Sequence, residues 1–285
     1  MKFYIVIPAH NEEDNIGLTL KSLINQTLLP TKLLVVDDHS TDNTAYIVNN
    51  IAKKHPWISL VSNTSSEAHL PGAKIINAFY KGYESLDTDF DVICKYDADL
   101  IFPNNYLESL ANHYQKNPQL GMVAGHCYIQ KNSKWQLEDL TSKEHIRGPL
   151  KAYRKACFME IGGLKKSMGW DTVDELLALY YGWKFTTDES LHVKHLKPTG
   201  AKYNRKAKYL QGTAFYKMRY GFVLAFLSAL KLAVKKGRIR LLWDYLLGYM
   251  KALKNKETFL INADQGIFVR AYRWKNIRRK FKILT

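Results

Sequence analysis

The sequence predicts an α/β fold whose mostly parallel sheet has helices on both faces. Short apolar runs alternate with helical patterns from residue 3 to about residue 117, and several of the runs end in polar residues. Strands that alternate with helices are joined by crossover connections, which make neighbouring strands parallel. At 285 residues and 46% hydrophobic content, the chain is large enough for a well-packed core.

Four strands and four helices are predicted in the first 117 residues. The strands are apolar runs of four to seven residues, at 3–8, 33–36, 58–61 and 90–96. The first helix is indicated by Ile16, Leu20, Leu23 and Ile24, which share one helical face. The other helices are predicted at 44–54, 71–86 and 103–117, the last two beginning at a proline, which the first turn of a helix tolerates.

Charge divides the chain into two regions. Residues 1–199 carry 21 Lys and Arg against 23 Asp and Glu, a balance of −2, whereas residues 200–285 carry 21 against 3, a balance of +18. Such a basic region attracts polyanions: nucleic acid, anionic lipid headgroups or substrate phosphates. We therefore expect residues 201–285 to form a separate basic extension.

The cysteines and the N-terminus indicate a cytoplasmic protein. Cys94, Cys127 and Cys157 are odd in number and lack Cys-x-x-Cys spacing, and two of them lie in apolar runs, which is typical of reduced, buried thiols. The first apolar run stops at Pro8, which is too early for the core of a signal peptide.

Asp97-Ala98-Asp99 follows the fourth predicted strand directly. Side chains two residues apart in extended chain point to the same side, so both carboxylates can face one ligand. Carboxylate oxygens are the ligands that Mg²⁺ and Mn²⁺ prefer. The triplet therefore predicts a site for a divalent cation and the phosphates that it carries.

Two other strand ends are polar, at residues 8–12 and 37–40. Ligands of open α/β sheets bind beyond the carboxyl ends of the strands, so we expect these segments to meet Asp99 in one crevice. Asp37 is placed to accept the imide N–H of a uracil or a ribose hydroxyl, whereas residues 40–42 either share this role or cap the next helix. Glycine-rich phosphate loops are absent from the sequence.

These segments together resemble glycosyltransferase family 2, whose enzymes have the Rossmann-like GT-A fold. The resemblance is carried by FYIVIPAHNEE at 3–13, VVDDHSTD at 35–42, YDAD at 96–99, IGGL at 161–164 and GWDTVDE at 169–175. It covers about residues 1–200 and implies a catalytic domain there, with a nucleotide-sugar half at about 1–118 and an acceptor half at about 119–200.

The resemblance implies an inverting transfer of sugar from a nucleoside-diphosphate sugar to an acceptor hydroxyl. Asp171 falls at the position of the general base, Asp99 at that of the metal ligand, and Asp97 at that of a contact to the ribose or the metal shell. The cofactor would be Mn²⁺ or Mg²⁺, and the donor a UDP-sugar. The residues that would hold the donor are Pro8, Ala9, His10, Glu12, Asp37, Asp38, Asp97 and Ala98.

The chain departs from the family pattern at several positions. Trp170 stands where an acidic residue usually precedes the base; its indole either stacks on a sugar or packs in the core. Lys74, in a segment that keeps the family pattern loosely, either binds a phosphate or is a solvated lysine. The Gln-x-x-Arg-Trp motif of processive members is replaced by a different spacing between Gln211 and Arg219, so we expect one sugar to be added per encounter.

Residues 190–195 alternate as a strand does, with His192 and Lys194 on one face and His195 on the other. A histidine in a strand commonly has a structural role. His195 nevertheless follows the proposed base closely in the chain, so it is a second candidate for contact with the metal or the diphosphate.

The extension contains two apolar runs, at 222–230 and 241–250, separated by lysines and arginines. Neither reaches the roughly 20 residues that span a bilayer. Aromatic, basic and amphipathic helices lie in the headgroup layer of anionic membranes. We therefore expect either peripheral attachment to the inner face of the plasma membrane, which suits a lipid-linked or polysaccharide acceptor, or helices that pack on the catalytic domain.

Two alternative functions differ in what the acidic residues do. A nucleic-acid-binding protein would use the basic extension but leave the acidic crevice without a role, so nucleic acid is not an expected partner. A protein that binds a nucleotide-sugar without turnover would not need a base, which the presence of Asp171 argues against.

Overall fold

The computed structural model of the protein describes residues 1–63, 72–138, 143–197 and 208–283. The strands of these residues form one nine-stranded sheet in the order β3-β2-β1-β4-β8-β6-β9-β5, with β7 paired to β6. The strands are β1 Phe3–Ala9, β2 Lys32–Asp38, β3 Ile58–Asn63, β4 Val92–Tyr96, β5 Leu100–Ile101, β6 Leu120–Lys131, β7 Lys134–Leu137, β8 Leu150–Arg154 and β9 Lys184–His195.

Ten helices of the described residues surround the sheet or follow it. They are α1 Ile16–Ile24, α2 Thr44–Ala52, α3 Ala73–Tyr83, α4 Tyr106–Lys116, α5 Lys155–Glu160, α6 Trp170–Tyr180, α7 Leu210–Lys217, α8 Phe222–Lys235, α9 Arg240–Lys254 and α10 Ala263–Ile283. The predicted α/β fold is confirmed, and β1 to β4 and α1 to α4 lie within a few residues of their predicted positions. Pro71, the predicted start of α3, lies outside the described residues.

The first half of the sheet is parallel, as the alternation of strands and helices predicts. β1 pairs with β2 and β4, and β2 pairs with β3, all in parallel. The register places Ala9 opposite Asp37 and Asp38 opposite Asn63. The polar carboxyl ends of β1, β2 and β3 therefore lie side by side along one edge of the sheet.

The second half of the sheet contains antiparallel pairs. β8 runs antiparallel between β4 and β6, β5 is antiparallel to β9, and β6 pairs with β9 in parallel. β6 and β7 form a hairpin whose two connecting residues, Asn132 and Ser133, have positive φ angles of 49° and 60°. Such a turn matches the right-handed twist of the strands. The antiparallel β8 brings the residues before it, Gly148 and Pro149, next to the end of β4.

Helices α7 to α10 lie in residues 201–285, for which the sequence predicts a basic extension. Gly212 and Gly248 let the backbones of α7 and α9 touch, because a Cβ at either position would lie 1.7 or 2.1 Å from a carbonyl oxygen of the other helix. The extension also packs on the part of the chain that forms the sheet: the ring centroids of Phe268 in α10 and Tyr180 in α6 lie 5.6 Å apart. In the residues that the structure describes, no helix has the length and apolar character to cross a membrane.

Candidate active site

The loops after β1 and β2 are joined to each other by hydrogen bonds. The Asn11 N–H donates to Ser40 Oγ at 3.0 Å, the Thr41 N–H donates to Asn11 Oδ1 at 2.8 Å, and the Glu12 N–H donates to Thr44 Oγ1 at 2.8 Å. Asn11 adopts a left-handed conformation with φ of 54°, one that asparagine tolerates better than most residues. Both strand ends therefore form one fixed polar surface.

The two aspartates at the end of β2 have different partners. Asp38 is held by the protein itself, since its Oδ1 accepts from Asn63 at 2.9 Å and its Oδ2 lies 3.3 Å from the Lys74 ammonium. Asp37 accepts a single hydrogen bond within the described part of the chain, from the Ser40 N–H at 3.3 Å. The carboxylate of Asp37 thus keeps acceptor capacity for a ligand, and Lys74 lies beside the same surface.

The predicted residues of β1 contribute differently. Pro8 and Ala9 are buried in the strand, so they offer backbone atoms, whereas His10 is exposed. The His10 Nδ1 lies 2.7 Å from the Asp38 carbonyl oxygen, which fixes the imidazole beside the end of β2. Asp42 accepts the Thr44 N–H at 3.0 Å, so the alternative of a cap at the start of α2 holds for this residue.

Asp97, Ala98 and Asp99 connect β4 with the short β5. The Asp97 side chain is 24% exposed and forms an ion pair with the buried ammonium of Lys95. Ala98 is buried, and its carbonyl oxygen accepts from Thr19 Oγ1 at 2.8 Å. This bond holds the triplet against α1 and fixes where its two carboxylates stand.

Asp97, Asp99 and His195 bring potential metal ligands to within 4.8 Å of one another. The His195 Nε2 lies 3.5 Å from Asp99 Oδ2, and the Nδ1 lies 3.0 Å from Glu138 Oε2. Burial, aided by the charge of Asp97, raises the pKa of Asp99 to about 6. Two carboxylates and one imidazole are a donor set that fits Mn²⁺ or Mg²⁺, whose positive charge would favour the ionised form of Asp99.

Glu12 and Lys197 connect this cluster with the surface after β1. The Lys197 ammonium donates to Glu12 Oε2 at 2.6 Å, and Asn15 Nδ2 donates to the same oxygen at 2.9 Å. The charges of Glu12 and Lys197 both influence the pKa of Asp99, so the three groups are neighbours. The predicted nucleotide-binding segment therefore borders the predicted metal ligands.

Asp171 lies in the first turn of α6, directly after Trp170, and its side chain is 31% exposed. Its Oδ2 lies 3.5 Å from the His145 Nε2. Burial acts to raise the pKa of Asp171, but hydrogen bonding and attraction from His145, with the charge of Lys151, hold that pKa below its ordinary value. The carboxylate is therefore ionised at neutral pH and accessible, as a general base must be.

Gly148 joins the surroundings of Asp171 to those of Asp97. The Lys95 ammonium, which pairs with Asp97, lies 3.4 Å from the Gly148 carbonyl oxygen. A Cβ at Gly148 would lie 3.6 Å from Asp171 Oδ2 and 3.1 Å from the Trp170 ring. Asp97 and Asp171 thus approach one small region of the structure from different elements.

Trp170 itself is 7% exposed, and the Lys95 ammonium lies 5.4 Å from its ring centroid. A cation at this distance is attracted by the negative face of an indole. Of the two roles expected for this residue, its burial favours packing beneath the site.

A buried ionic cluster contacts the backbone of Asp171, and it was not predicted from the sequence. The Lys151 ammonium lies 3.0 Å from Asp174 and 3.2 Å from Glu175, and it donates to the Asp171 carbonyl oxygen at 2.8 Å. The signal was present as Asp174 and Glu175, which stand between apolar residues in the inner face of α6. A buried carboxylate is stable only with a partner, so their position alone called for a buried cation.

Lys95 is a buried cation of the same kind, and the sequence indicates it by placing a lysine inside the apolar run of β4. Glu138 and Arg147 have no such sequence signal, because both lie in connecting segments. Their side chains form an ion pair, and the same Glu138 oxygen accepts a hydrogen bond from His195. Arg147 and Glu138 therefore fix the imidazole of His195 next to Asp99.

A family model described as glycosyl transferase family 2 matches residues 4–164. A probable glycosyltransferase of Bacillus subtilis (strain 168), YdaM, is 35% identical over 152 residues, which cover 51% of this chain and 34% of the relative. A 4,4'-diaponeurosporenoate glycosyltransferase of Staphylococcus aureus (strain USA300) is 27% identical over 183 residues, covering 57% and 46%. The chain thus spans between a third and a half of the length of these relatives.

Solved structures share the fold at low sequence identity. TarS 1–349 of S. aureus, in complex with UDP-GlcNAc, has a TM-score of 0.60 at 18% identity, covering 88% of this chain and 73% of that one. The mannosyltransferase PcManGT of Pyrobaculum calidifontis, in complex with GDP-Man and Mn²⁺, has a TM-score of 0.56 at 15% identity, covering 100% and 83%. The likeness confirms the GT-A fold that the sequence resemblance implied.

Proposed function

Because this chain belongs to glycosyl transferase family 2, we propose that it transfers a sugar from a nucleoside-diphosphate sugar to an acceptor hydroxyl. One observation carries the proposal: two acidic groups border the segment around Gly148. The first is Asp97, which lies beside Asp99 and His195, and the second is the ionised, accessible Asp171. A donor with its diphosphate at the first group would present its sugar towards the second.

The nucleoside of the donor binds along the carboxyl ends of β1 and β2. Asp37 accepts from the base or the ribose, and the exposed His10 and the Glu12 loop form the adjoining wall. Pro8, Ala9 and Ala98 contribute backbone surface, and Asp38 orients Lys74 towards the phosphates. The interlocked loops support this assignment, because a preorganised site loses less entropy on binding.

Asp99 and Asp97, with His195 beside them, hold a divalent cation, Mn²⁺ or Mg²⁺. A cation bound there supplies positive charge to the diphosphate, where negative charge grows as the bond to the sugar breaks. Lys197, which pairs with Glu12 beside Asp99, and Lys74, which pairs with Asp38 at the end of β2, would add positive charge near the diphosphate.

Asp171 takes the proton of the acceptor hydroxyl. As the O–H bond of the acceptor breaks, the acceptor oxygen forms a bond to the anomeric carbon. The electrons of the bond between the anomeric carbon and the diphosphate oxygen leave with the nucleoside diphosphate. A single displacement of this kind inverts the configuration at the anomeric carbon. A positioned base contributes about 10²- to 10⁴-fold to the rate, and the pKa of Asp171 keeps it ready at neutral pH.

The donor is proposed to be a UDP-sugar, and one experiment tests both class and donor. UDP-, GDP- and dTDP-sugars are added separately to the protein with Mn²⁺, and the thermal unfolding midpoint is measured. A ligand at 100 times its Kd stabilises the folded state by about 2.7 kcal/mol, so the UDP-sugar should raise the midpoint by several degrees. No stabilisation by any of the three would contradict nucleotide-sugar binding.

The acceptor is proposed to be lipid-linked or a polysaccharide at the cytoplasmic face of the plasma membrane, and one sugar is added per encounter. Support comes from the extension, whose helices α8 and α9 expose apolar side chains at helical spacing: Phe222, Val223, Phe226 and Val234, then Ile239, Trp243, Leu247 and Met250. Exposed lysines and arginines lie among them. An apolar face in basic surroundings matches the headgroup layer of an anionic membrane.

The extension also lies next to the acceptor side of the site. A Cβ at Gly169, one residue before Trp170, would lie 3.9 Å from Met218 at the end of α7. A membrane-bound extension would therefore hold the turn that carries Asp171 close to lipid-borne acceptors.

A further inference from the structure

His145 connects the proposed base to the buried ionic cluster. Its Nε2 lies 3.5 Å from Asp171 Oδ2, and its Nδ1 lies 2.8 Å from Glu175 Oε2. Asp171 and Glu175 are one helical turn apart on α6, so the imidazole bridges two carboxylates of the same helix face. The side chain is 14% exposed, and the Ile146 N–H donates to the other Glu175 oxygen at 2.8 Å, which fixes the segment that carries the ring.

Only the protonated imidazole satisfies both contacts. An imidazolium has two N–H donors, whereas neutral imidazole has one donor and one acceptor. Because carboxylates only accept, a neutral His145 can donate to one of them. The shorter contact is the one to Glu175, so deprotonation would release Asp171.

We infer that His145 is a positioning residue that, as an imidazolium, holds the Asp171 carboxylate in the orientation for attack on the acceptor proton. This inference rests on the proposed function of Asp171 as the base. It assigns to His145 no contact with donor or acceptor, so its loss lowers kcat and leaves donor binding intact.

The charged groups around His145 favour this protonation state. Burial acts to lower the pKa of His145, but the hydrogen bonds that the imidazolium donates to Asp171 and Glu175, with the charge of Glu175, raise that pKa to about 9, against a smaller opposing effect from Lys151. Asp174 pairs with Lys151 on the same cluster. A group with a raised pKa is protonated below that pKa, so the bridge is intact at neutral pH and is lost as the pH rises through about 9.

The test is the pH dependence of kcat for the wild-type protein and for His145→Gln, with saturating donor, Mg²⁺ and acceptor. We expect wild-type kcat to fall above pH 9. His145→Gln should lower kcat at pH 7.5 by about 10- to 100-fold, the size expected when a reacting group is misplaced by about 1 Å, and should remove the alkaline limb. The donor Kd should change less than about twofold.

His113→Gln is the matched control, because His113 also pairs with an aspartate, Asp188 at 2.8 Å, away from Asp171. This variant should keep the wild-type kcat and the fall of kcat above pH 9. Wild-type kcat that stays constant through pH 10 would overturn the inference even if His145→Gln fails to fold, and so would a folded His145→Gln protein with an unchanged limb. Failure of the proposed function is distinguishable: Asp171→Asn would then retain its turnover.

Discussion

Asp171 owes its proposed role to two environments that meet at one side chain. One part of the carboxylate is accessible, with 31% of the side chain exposed, while Oδ2 faces His145. The nearby cations keep it ionised, and the Lys151 ammonium holds its backbone carbonyl at 2.8 Å. The residue is therefore both charged and held in place, whereas a solvated surface aspartate is charged but free to move.

Replacing Asp171 by Asn tests this role at the level of one atom. Asn keeps the shape of the side chain but cannot accept a proton, so transfer should fall at least about 100-fold while donor affinity stays the same. Transfer is measured by release of nucleoside diphosphate, and donor affinity by calorimetry. Turnover within a few-fold of the wild-type rate would remove Asp171 from the mechanism.

Replacing Asp99 by Ala tests the metal group. Loss of one carboxylate from Asp97, Asp99 and His195 should abolish the gain in nucleoside-diphosphate affinity that Mn²⁺ gives the wild-type protein. Calorimetric titrations with and without Mn²⁺ measure this gain. Asp89→Ala is the control, since Asp89 pairs on the surface with Lys2. Identical Mn²⁺ dependence in Asp99→Ala and wild type would count against the site.

At the scale of residues, sequence alone located the groups that stand where strands end. Asp37, Asp97 and Asp99 were found because a carboxylate after an apolar run is conspicuous. Alternation placed His195 on the opposite face of β9 from His192 and Lys194, and the structure shows that this face is buried, with His195 4% exposed. His145 and Glu138 were not found. Their meaning depends on partners 30 and 57 residues away along the chain, and such pairings carry no local pattern.

At the scale of elements, the contact between α7 and α9 is the tightest feature of the extension. Backbone approaches backbone at Gly212 and Gly248, where a methyl group would overlap Tyr245 O or Tyr209 O. Small residues permit this spacing, and larger ones would force the helices apart.

Gly212→Ala should therefore destabilise the extension by at least about 1 kcal/mol, the lower end for an overpacked contact. Gly17→Ala is the control: its new Cβ would meet Ile47 at an ordinary 3.7 Å, and alanine favours a helix over glycine by about 1 kcal/mol. Chemical denaturation measures both. A Gly212→Ala protein as stable as Gly17→Ala would contradict the close helix contact.

Three of the strands that sequence did not predict, β5, β7 and β8, lack a readable hydrophobic pattern. β5 has two residues and β7 has four, so neither is long enough for a hydrophobic period. β8 contains the buried Lys151, which interrupts its apolar run. By contrast, β1, β2 and β4 are uninterrupted or nearly uninterrupted apolar strands buried on both faces, the kind of strand that a parallel sheet makes easy to read.

At the scale of the whole molecule, charge distinguishes two regions of the chain. Residues 1–199 hold the acidic site in a nearly neutral part of the chain, and residues 200–285 carry the balance of +18. The structure adds that exposed apolar side chains, Trp243 at 64% and Leu247 at 49% among them, lie within the basic region. Composition predicted an attraction to anions and the two apolar runs predicted amphipathic helices, and the folded helices show which apolar side chains are exposed.

Leu247→Glu tests the membrane surface. A carboxylate on that face should be repelled by anionic headgroups, so the fraction that sediments with phosphatidylglycerol vesicles should fall several-fold. Leu29→Glu is the control, because Leu29 is also 49% exposed but lies between α1 and β2, outside the basic extension. Equal sedimentation of both variants would contradict the assignment of α8 and α9 as the membrane-binding surface. Wild-type protein that does not sediment with anionic vesicles would contradict membrane attachment altogether.

We propose that the groups after β1, β2 and β4 and the start of α6 surround one activated sugar. A crystal structure of the Asp171→Asn protein with Mn²⁺ and an intact UDP-sugar tests it most directly. We expect the nucleoside at Asp37, the metal and diphosphate at Asp99, and the anomeric carbon facing residue 171. A nucleotide bound elsewhere, or a sugar directed away from residue 171, would contradict it.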